Sequence, residues 1–125
     1  MAEITRLQRM KTAALICFSS EAGAILGKAS QPMRNAVAAF VQELGLAYQI
    51  ADELRDAEGD AAEMGKAAGK DATRGKSTIV SVLGADRARA HAKALLEQAV
   101  RHLDLFGEKA DFLRAAAEFV ITRRA

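Results

Sequence analysis

Residues 48–60, YQIADELRDAEGD, crowd Asp52, Glu53, Asp56, Glu58 and Asp60 into one short stretch. Residues four apart on a helix stack on one face, so Asp52 and Asp56 present carboxylates side by side, with Gln49 one turn earlier. Like charges so placed repel. The apolar pattern puts them at the C-terminal end of their helix, where the dipole also disfavours acids. Two local rules broken in one place point to a functional site. A hard divalent cation reverses both penalties. Oxygen-only ligands suit Mg²⁺ rather than zinc, and Mg²⁺ binds through one or two carboxylates plus phosphate oxygens.

The stretch that follows supplies what a phosphate needs. In GDAAEMGKAAGKDATRGKS, Lys66, Lys70, Arg74 and Lys76 alternate with Gly59, Gly65, Gly69 and Gly75. Glycines let backbone N–H groups approach an anion closely. Lys11 and Thr12 interrupt an apolar run in the first helix, and a lysine there must snorkel outward or meet an anion. Each feature alone also fits a solvated helix end, a surface loop or a surface charge. Cys17 lies on an apolar face with no histidine near it in sequence, so it reads as a small core hydrophobe and not a nucleophile. His91 and His102 lack the Glu-x-x-His pattern of a di-iron bundle.

The elements that must hold these residues are helical. The chain has 125 residues, half of them hydrophobic, with one proline and few aromatics; that is one domain with one core. Alanine and leucine without long β-branched runs favour helix. The first helix is expected from about Ile4 to Leu26, with Leu7, Met10, Ala14, Leu15, Phe18, Ala22 and Ile25 recurring at helical spacing. Gly27 and the segment KASQP end it. Ser30 caps the next helix, with Pro32 in its opening turn. Val37, Phe40, Val41, Leu44, Ala47, Tyr48 and Ala51 form its apolar face. The pattern breaks from Glu58 to Ser77, which reads as a loop or a set of turns. TIVSVLG is a short helix, since a lone strand has no partner. Asp86 opens a helix to about Phe106 (Ala88, Ala92, Leu95, Leu96, Ala99, Leu103), Gly107 breaks it, and Asp111 to Arg123 form the last helix. The expected architecture is all-α.

Other function classes are poorly served. No run approaches the ~18 apolar residues of a membrane span. The beginning, MAEITRLQRMK, lacks the apolar core of a secretory signal. A single cysteine excludes an internal disulfide and suits a reducing cytoplasm. A net charge of +2, with basic residues spread out and not interleaved with aromatics, gives no footprint for nucleic acid.

Taken in order, KTAALI (11–16), GLAYQIADELRD (45–56), GKAAGKD (65–71), GKSTIVSVLG (75–84) and the ending FVITRRA resemble the carboxyl-terminal part of the short-chain trans-polyprenyl diphosphate synthases, a family that includes farnesyl and geranylgeranyl diphosphate synthases. The resemblance covers nearly all of the chain. It implies the C-terminal helices of the all-α isoprenoid synthase fold and a Mg²⁺-dependent prenyltransferase that joins an allylic diphosphate to isopentenyl diphosphate. By the same resemblance Asp52, Glu53 and Asp56 match the second aspartate-rich motif, which ligates Mg²⁺ on the allylic diphosphate. Lys11, Lys66 and Lys76 match lysines that contact that diphosphate. Thr12 and Gln49 match polar residues lining the reaction centre, and Arg123 and Arg124 match a basic terminus near the isopentenyl diphosphate. Three residues depart from the pattern. Glu53 stands for an aspartate, Ala13 for a glycine, where it is expected to crowd the helix, and Arg55 for an apolar residue, where it is expected to pair with a nearby acid and compete with metal. The first aspartate-rich motif of the family has no counterpart here. Residues 1–125 are therefore expected to be the C-terminal part of a single synthase domain, working with the missing N-terminal half or a complementary chain, inactive alone and prone to self-association. The competing expectation is a non-catalytic helical partner or regulatory subunit of another prenyltransferase.

Overall fold

One long helix organises the protein. The computed structural model describes residues 2–10, 12–63 and 78–123. Its helices are α1 (Ala2–Arg9), α2 (Thr12–Leu26), α3 (Gln31–Glu63), α4 (Ile79–Leu83), α5 (Ala85–Arg101) and α6 (Asp111–Thr122), with a 3₁₀ segment (Asp104–Ala110) before the last. No strand occurs among the described residues. The fold is all-α, as expected.

α3 is the spine. Leu46, Ala47, Ile50 and Leu54 on it pack with Ile79 of α4 and with Ala88, Ala92 and Leu95 of α5. Nearer its start, Phe40 and Val41 pack with Ala99, Leu103, Ala110 and Ala117. Small residues predominate on the α5 side, so the two helices lie close along much of their length. Ile50, Ile79 and Leu103 are the largest fully buried side chains.

Helix ends are fixed by local chemistry. α2 ends in a Schellman turn: Lys28 N–H donates to the Ile25 carbonyl and Ala29 N–H to the Ala24 carbonyl, both at 3.0 Å. The residue with positive φ there is Lys28 (55°), not Gly27. Ser30 Oγ accepts from Met33 N–H at 3.4 Å, the cap expected before Pro32. Thr78 and Ser81 form a capping box at α4. Gly107, at φ 58° and ψ −141°, breaks the chain before α6. Arg114 clamps that kink, donating to the Gly107 carbonyl at 2.8 Å and the Leu103 carbonyl at 3.1 Å.

Four expectations are corrected. The single first helix is two, ending at Arg9 and restarting at Thr12. The expected stripe of that region is not the buried face: Leu15, Phe18 and Ile25 are exposed, and Ala13 is the buried residue of α2. α2 is apolar nearly all round, so spacing alone does not select a side. Third, α3 continues to Glu63 through Gly59. One interior glycine costs about 1 kcal/mol, and the alanines around it favour helix. The acidic cluster therefore begins well inside α3, and the dipole penalty expected of a helix end does not apply to Asp52. Fourth, α5 stops at Arg101 and gives way to the 3₁₀ segment, where the pattern suggested helix to Phe106. The loop expected after residue 63 lies outside the described residues.

The exposed apolar side chains carry a solution expectation. Phe18 on α2 is 70% exposed and Phe112 on α6 is 86% exposed, with Leu15, Ile25 and Phe119 also open. Apolar faces of this extent need cover. The 125-residue chain is expected to be helical by circular dichroism, to bind ANS and to associate with itself in sedimentation. A monomer that melts sharply and binds no dye would overturn this.

Candidate functional site

The acids of α3 have distinct surroundings. Asp52 and Asp56 lie one turn apart on one side of the helix, Asp52 half-buried and Asp56 exposed. Arg55 Nη2 donates to Asp52 Oδ1 at 3.0 Å. The arginine side chain is 18% exposed and the aspartate 49%, so the guanidinium is the anchored member. The pairing expected of Arg55 is therefore present. Glu53 does something else: its Oε2 accepts from the backbone N–H groups of Ile79 at 2.9 Å and Val80 at 3.4 Å. These donors are orphans of the first turn of α4, and the glutamate pins α4 to the middle of α3. An aspartate, one methylene shorter, has less reach for this contact.

Several other expected site residues gather around the same helix. Gln49 is half-buried one turn before Asp52. Thr12 is exposed at the start of α2, next to Ala13, which is 2% exposed and packs where α2 crosses α3. That crossing is close because Gly45 faces it: a Cβ on Gly45 would lie 2.7 Å from Ala13 Cβ and 3.0 Å from Ala13 Cα. The crowding expected at Ala13 is thus absorbed by a missing side chain on α3. At the far end of the chain, Arg123 Nη2 donates to Tyr48 Oη at 3.1 Å, and its guanidinium lies over the Tyr48 ring, 5.1 Å from the centroid. This cation–π contact ties the end of α6 to α3 one residue before Gln49. Lys11, Lys66, Lys76 and Arg124 lie outside the described residues.

A groove of about 1080 Å³ opens between α3, α5 and α6. Ala51, Leu54, Ala92, Leu96 and Ile121 give it apolar walls, and Arg55 of α3 and Arg123, just after α6, also line it. The sequence places Tyr48 on an apolar helix face but gives no sign of its contact with Arg123 or of this groove. The one available signal for Tyr48 was that the only tyrosine sits on an apolar helix face, where its hydroxyl needs a partner. Cys17 behaves as the small hydrophobe expected. It packs partly buried on the core, and burial, reinforced by the Glu21 charge, pushes its thiol up. A raised thiol pKa leaves less thiolate near neutral pH, the opposite of a nucleophile.

The donor set can be tested against a metal on this geometry. No group of three or more His, Cys, Asp or Glu side chains converges to hold an ion among the described residues. Asp52 and Asp56 nonetheless offer hard oxygens one helical turn apart, the donor type Mg²⁺ takes from a protein when phosphate completes its shell. They fit Mg²⁺ in that role and would not form a cage for it alone.

The described residues define an all-helical protein with an acid pair on its central helix and an apolar groove beside it. Residues 1–117 match the Polyprenyl synthetase family, and the chain belongs to that family. It superposes with TM-score 0.82 on the crystal structure of an FPP/GFPP synthase from Zymomonas mobilis, at 44% identity, over 96% of this chain and 38% of that one. It is 34% identical to a farnesyl diphosphate synthase of Haemophilus influenzae over its whole length and 43% of that protein. It is 35% identical to the mitochondrial geranylgeranyl pyrophosphate synthase 6 of Arabidopsis thaliana over 91% of this chain and 34% of the relative. The chain thus spans roughly a third to two fifths of the length of these relatives. No described helix is long and apolar enough to cross a membrane.

Proposed function

We propose that residues 1–125 are the C-terminal part of one polyprenyl diphosphate synthase domain, supplying the second aspartate-rich half of a Mg²⁺–diphosphate site to a partner that carries the first. The observation that carries this reading is the pair Asp52 and Asp56, held one turn apart on the central helix α3 in a chain of this family. Asp52 and Asp56 would hold Mg²⁺, and Glu53 fixes α4 beside them. Mg²⁺ bound there would supply positive charge where the diphosphate departs. Lys11, Lys66 and Lys76 add countercharge as point donors. Thr12 and Gln49 line the reacting carbons, and Arg123 and Arg124 face the diphosphate of the second substrate. The allylic C–O bond breaks with its electron pair leaving on the diphosphate. The alkene of isopentenyl diphosphate attacks the resulting cation, forming the new C–C bond, and a proton is lost to the released diphosphate. The chain positions charge and needs no nucleophile of its own.

The chain's coverage of its relatives and its exposed apolar side chains support a partner. A chain covering about two fifths of its relatives, with open apolar faces on α2 and α6, is completed by the remaining helices of the same domain, in cis or as a separate chain. The purified chain with Mg²⁺, labelled isopentenyl diphosphate and an allylic diphosphate is expected to give no turnover. Adding the first-motif half of a relative in trans is expected to restore it. Turnover by the chain alone near 1 s⁻¹, an ordinary enzymatic rate of about that order, would overturn the reading. A non-catalytic regulatory subunit is the second reading, favoured by the engagement of Asp52 with Arg55 and of Glu53 with α4. It predicts no rescue in trans, together with binding to an intact synthase.

A further inference from the structure

We infer that Arg55 is a positioning residue that acts through Asp52: it neutralises this carboxylate before metal arrives and sets the metal concentration at which the acid pair fills. The inference rests on the proposed role of Asp52 as a metal ligand. Three observations carry it. Arg55 Nη2 contacts Asp52 Oδ1 at 3.0 Å, one of the two oxygens this carboxylate can offer a cation. The arginine is the more buried partner, at 18% against 49% exposure, with its side chain in the wall of the groove between α3, α5 and α6. Its Nη1 is buried with no hydrogen-bond partner among the described residues.

The last point decides the direction. A guanidinium with a spare solvated nitrogen could surrender Asp52 and satisfy itself with water. Among the described residues Arg55 Nη1 is buried and has no such outlet. A metal that takes Asp52 therefore strands a largely buried cation, and breaking one side of such a pair costs more than the pair contributes when intact. The metal also meets a fixed positive charge within one helical turn, little screened because it is buried. Both effects weaken metal binding at the acid pair. Neither requires the arginine to touch substrate.

Mn²⁺ titrated into the 125-residue chain at fixed inorganic diphosphate, with the free-ion EPR signal read against the same titration without protein, tests this without relying on activity. Arg55→Leu, which places an apolar side chain in a groove wall that also includes Leu96 and Ile121, is expected to tighten Mn²⁺ about tenfold, the scale of a charged hydrogen bond. Arg55→Gln moves in the same direction and serves if the leucine variant does not fold by circular dichroism. Arg55→Lys, which keeps the charge, is expected to stay near the parent. Arg89→Leu removes the same formal charge from the same groove, but Arg89 pairs with Glu58 and Asp86 and does not contact Asp52. It is expected to leave Mn²⁺ binding unchanged. Equal tightening by the Arg55 and Arg89 variants would reduce the effect to net charge and overturn the inference. No tightening by Arg55→Leu or Arg55→Gln, while Asp52→Asn weakens binding, would sink the inference and leave the site standing. Binding to Asp52→Asn indistinguishable from the parent would remove the site itself.

Discussion

Gly45→Ala is expected to destabilise the protein by about 2 kcal/mol, within the range for overpacking a tight contact. An alanine at this position would gain helix propensity, since glycine inside a helix is about 0.5–1 kcal/mol worse. The clash reverses that sign. The new Cβ would sit 2.7 Å from Ala13 Cβ and 3.0 Å from Ala13 Cα. Neither atom can rotate away, because one is the first side-chain atom and the other is backbone. Relief requires α2 to move off α3 where Ala13 is almost fully buried, and that movement also shifts Thr12. Urea unfolding followed by circular dichroism gives the measurement. Ala13→Gly should cost stability alone yet rescue Gly45→Ala, because the pair then exchanges which helix lacks a side chain. A neutral or stabilising Gly45→Ala, or a double variant no better than the single, would mean the helices are not held at this distance.

That contact shows where the sequence stopped being informative. Ala13 was recognisable as a departure that adds volume, but its compensation sits 32 positions away, and no local pattern links the two. The buried face of α5 was fully legible, because Ala88, Ala92, Leu95 and Ala99 repeat on one side of an otherwise charged helix. α2 was not, because an apolar helix offers no contrast between its faces. Glycine and acid in sequence read as punctuation and shorten the expected α3, whereas Ala57, Ala61 and Ala62 carry the helix through Gly59 to Glu63.

The acid cluster divides in the same way. Asp52 with Asp56 and Asp52 with Arg55 are pairs at i,i+4 and i,i+3, so periodicity alone places them together. The resemblance places Glu53 among the metal ligands, and the structure adds that its Oε2 accepts from backbone donors 26 and 27 residues away. A capping role of this kind depends on a helix brought in by the chain's return, and composition carries no trace of it. The stacking of Arg123 on Tyr48, across 75 residues, was likewise beyond reach of any spacing argument.

Asp52→Asn is expected to weaken Mg²⁺-dependent diphosphate binding by more than tenfold, or about 1.4 kcal/mol. Two carboxylates offer Mg²⁺ too few ligands on their own, so metal and diphosphate should bind together and weakly apart. Losing one carboxylate removes half of what the protein contributes to that shell. Asparagine is preferable to alanine because its carbonyl still accepts from Arg55, which leaves no second nitrogen of that buried guanidinium without a partner. The measurement belongs in the completed domain, with the first-motif half in cis or in trans, by calorimetric titration of inorganic diphosphate at fixed Mg²⁺. Glu58→Ala is the control. Glu58 belongs to the same acidic run but is exposed and paired with Arg89, and an exposed pair contributes about 0–1 kcal/mol. Glu53→Gln separates the remaining possibility: its main effect should fall on the melting of α4, with a smaller loss of diphosphate affinity than Asp52→Asn. If Asp52 and Glu58 variants lose affinity equally, or neither loses any, the run from Asp52 to Asp60 is a solvated stretch of helix without a metal.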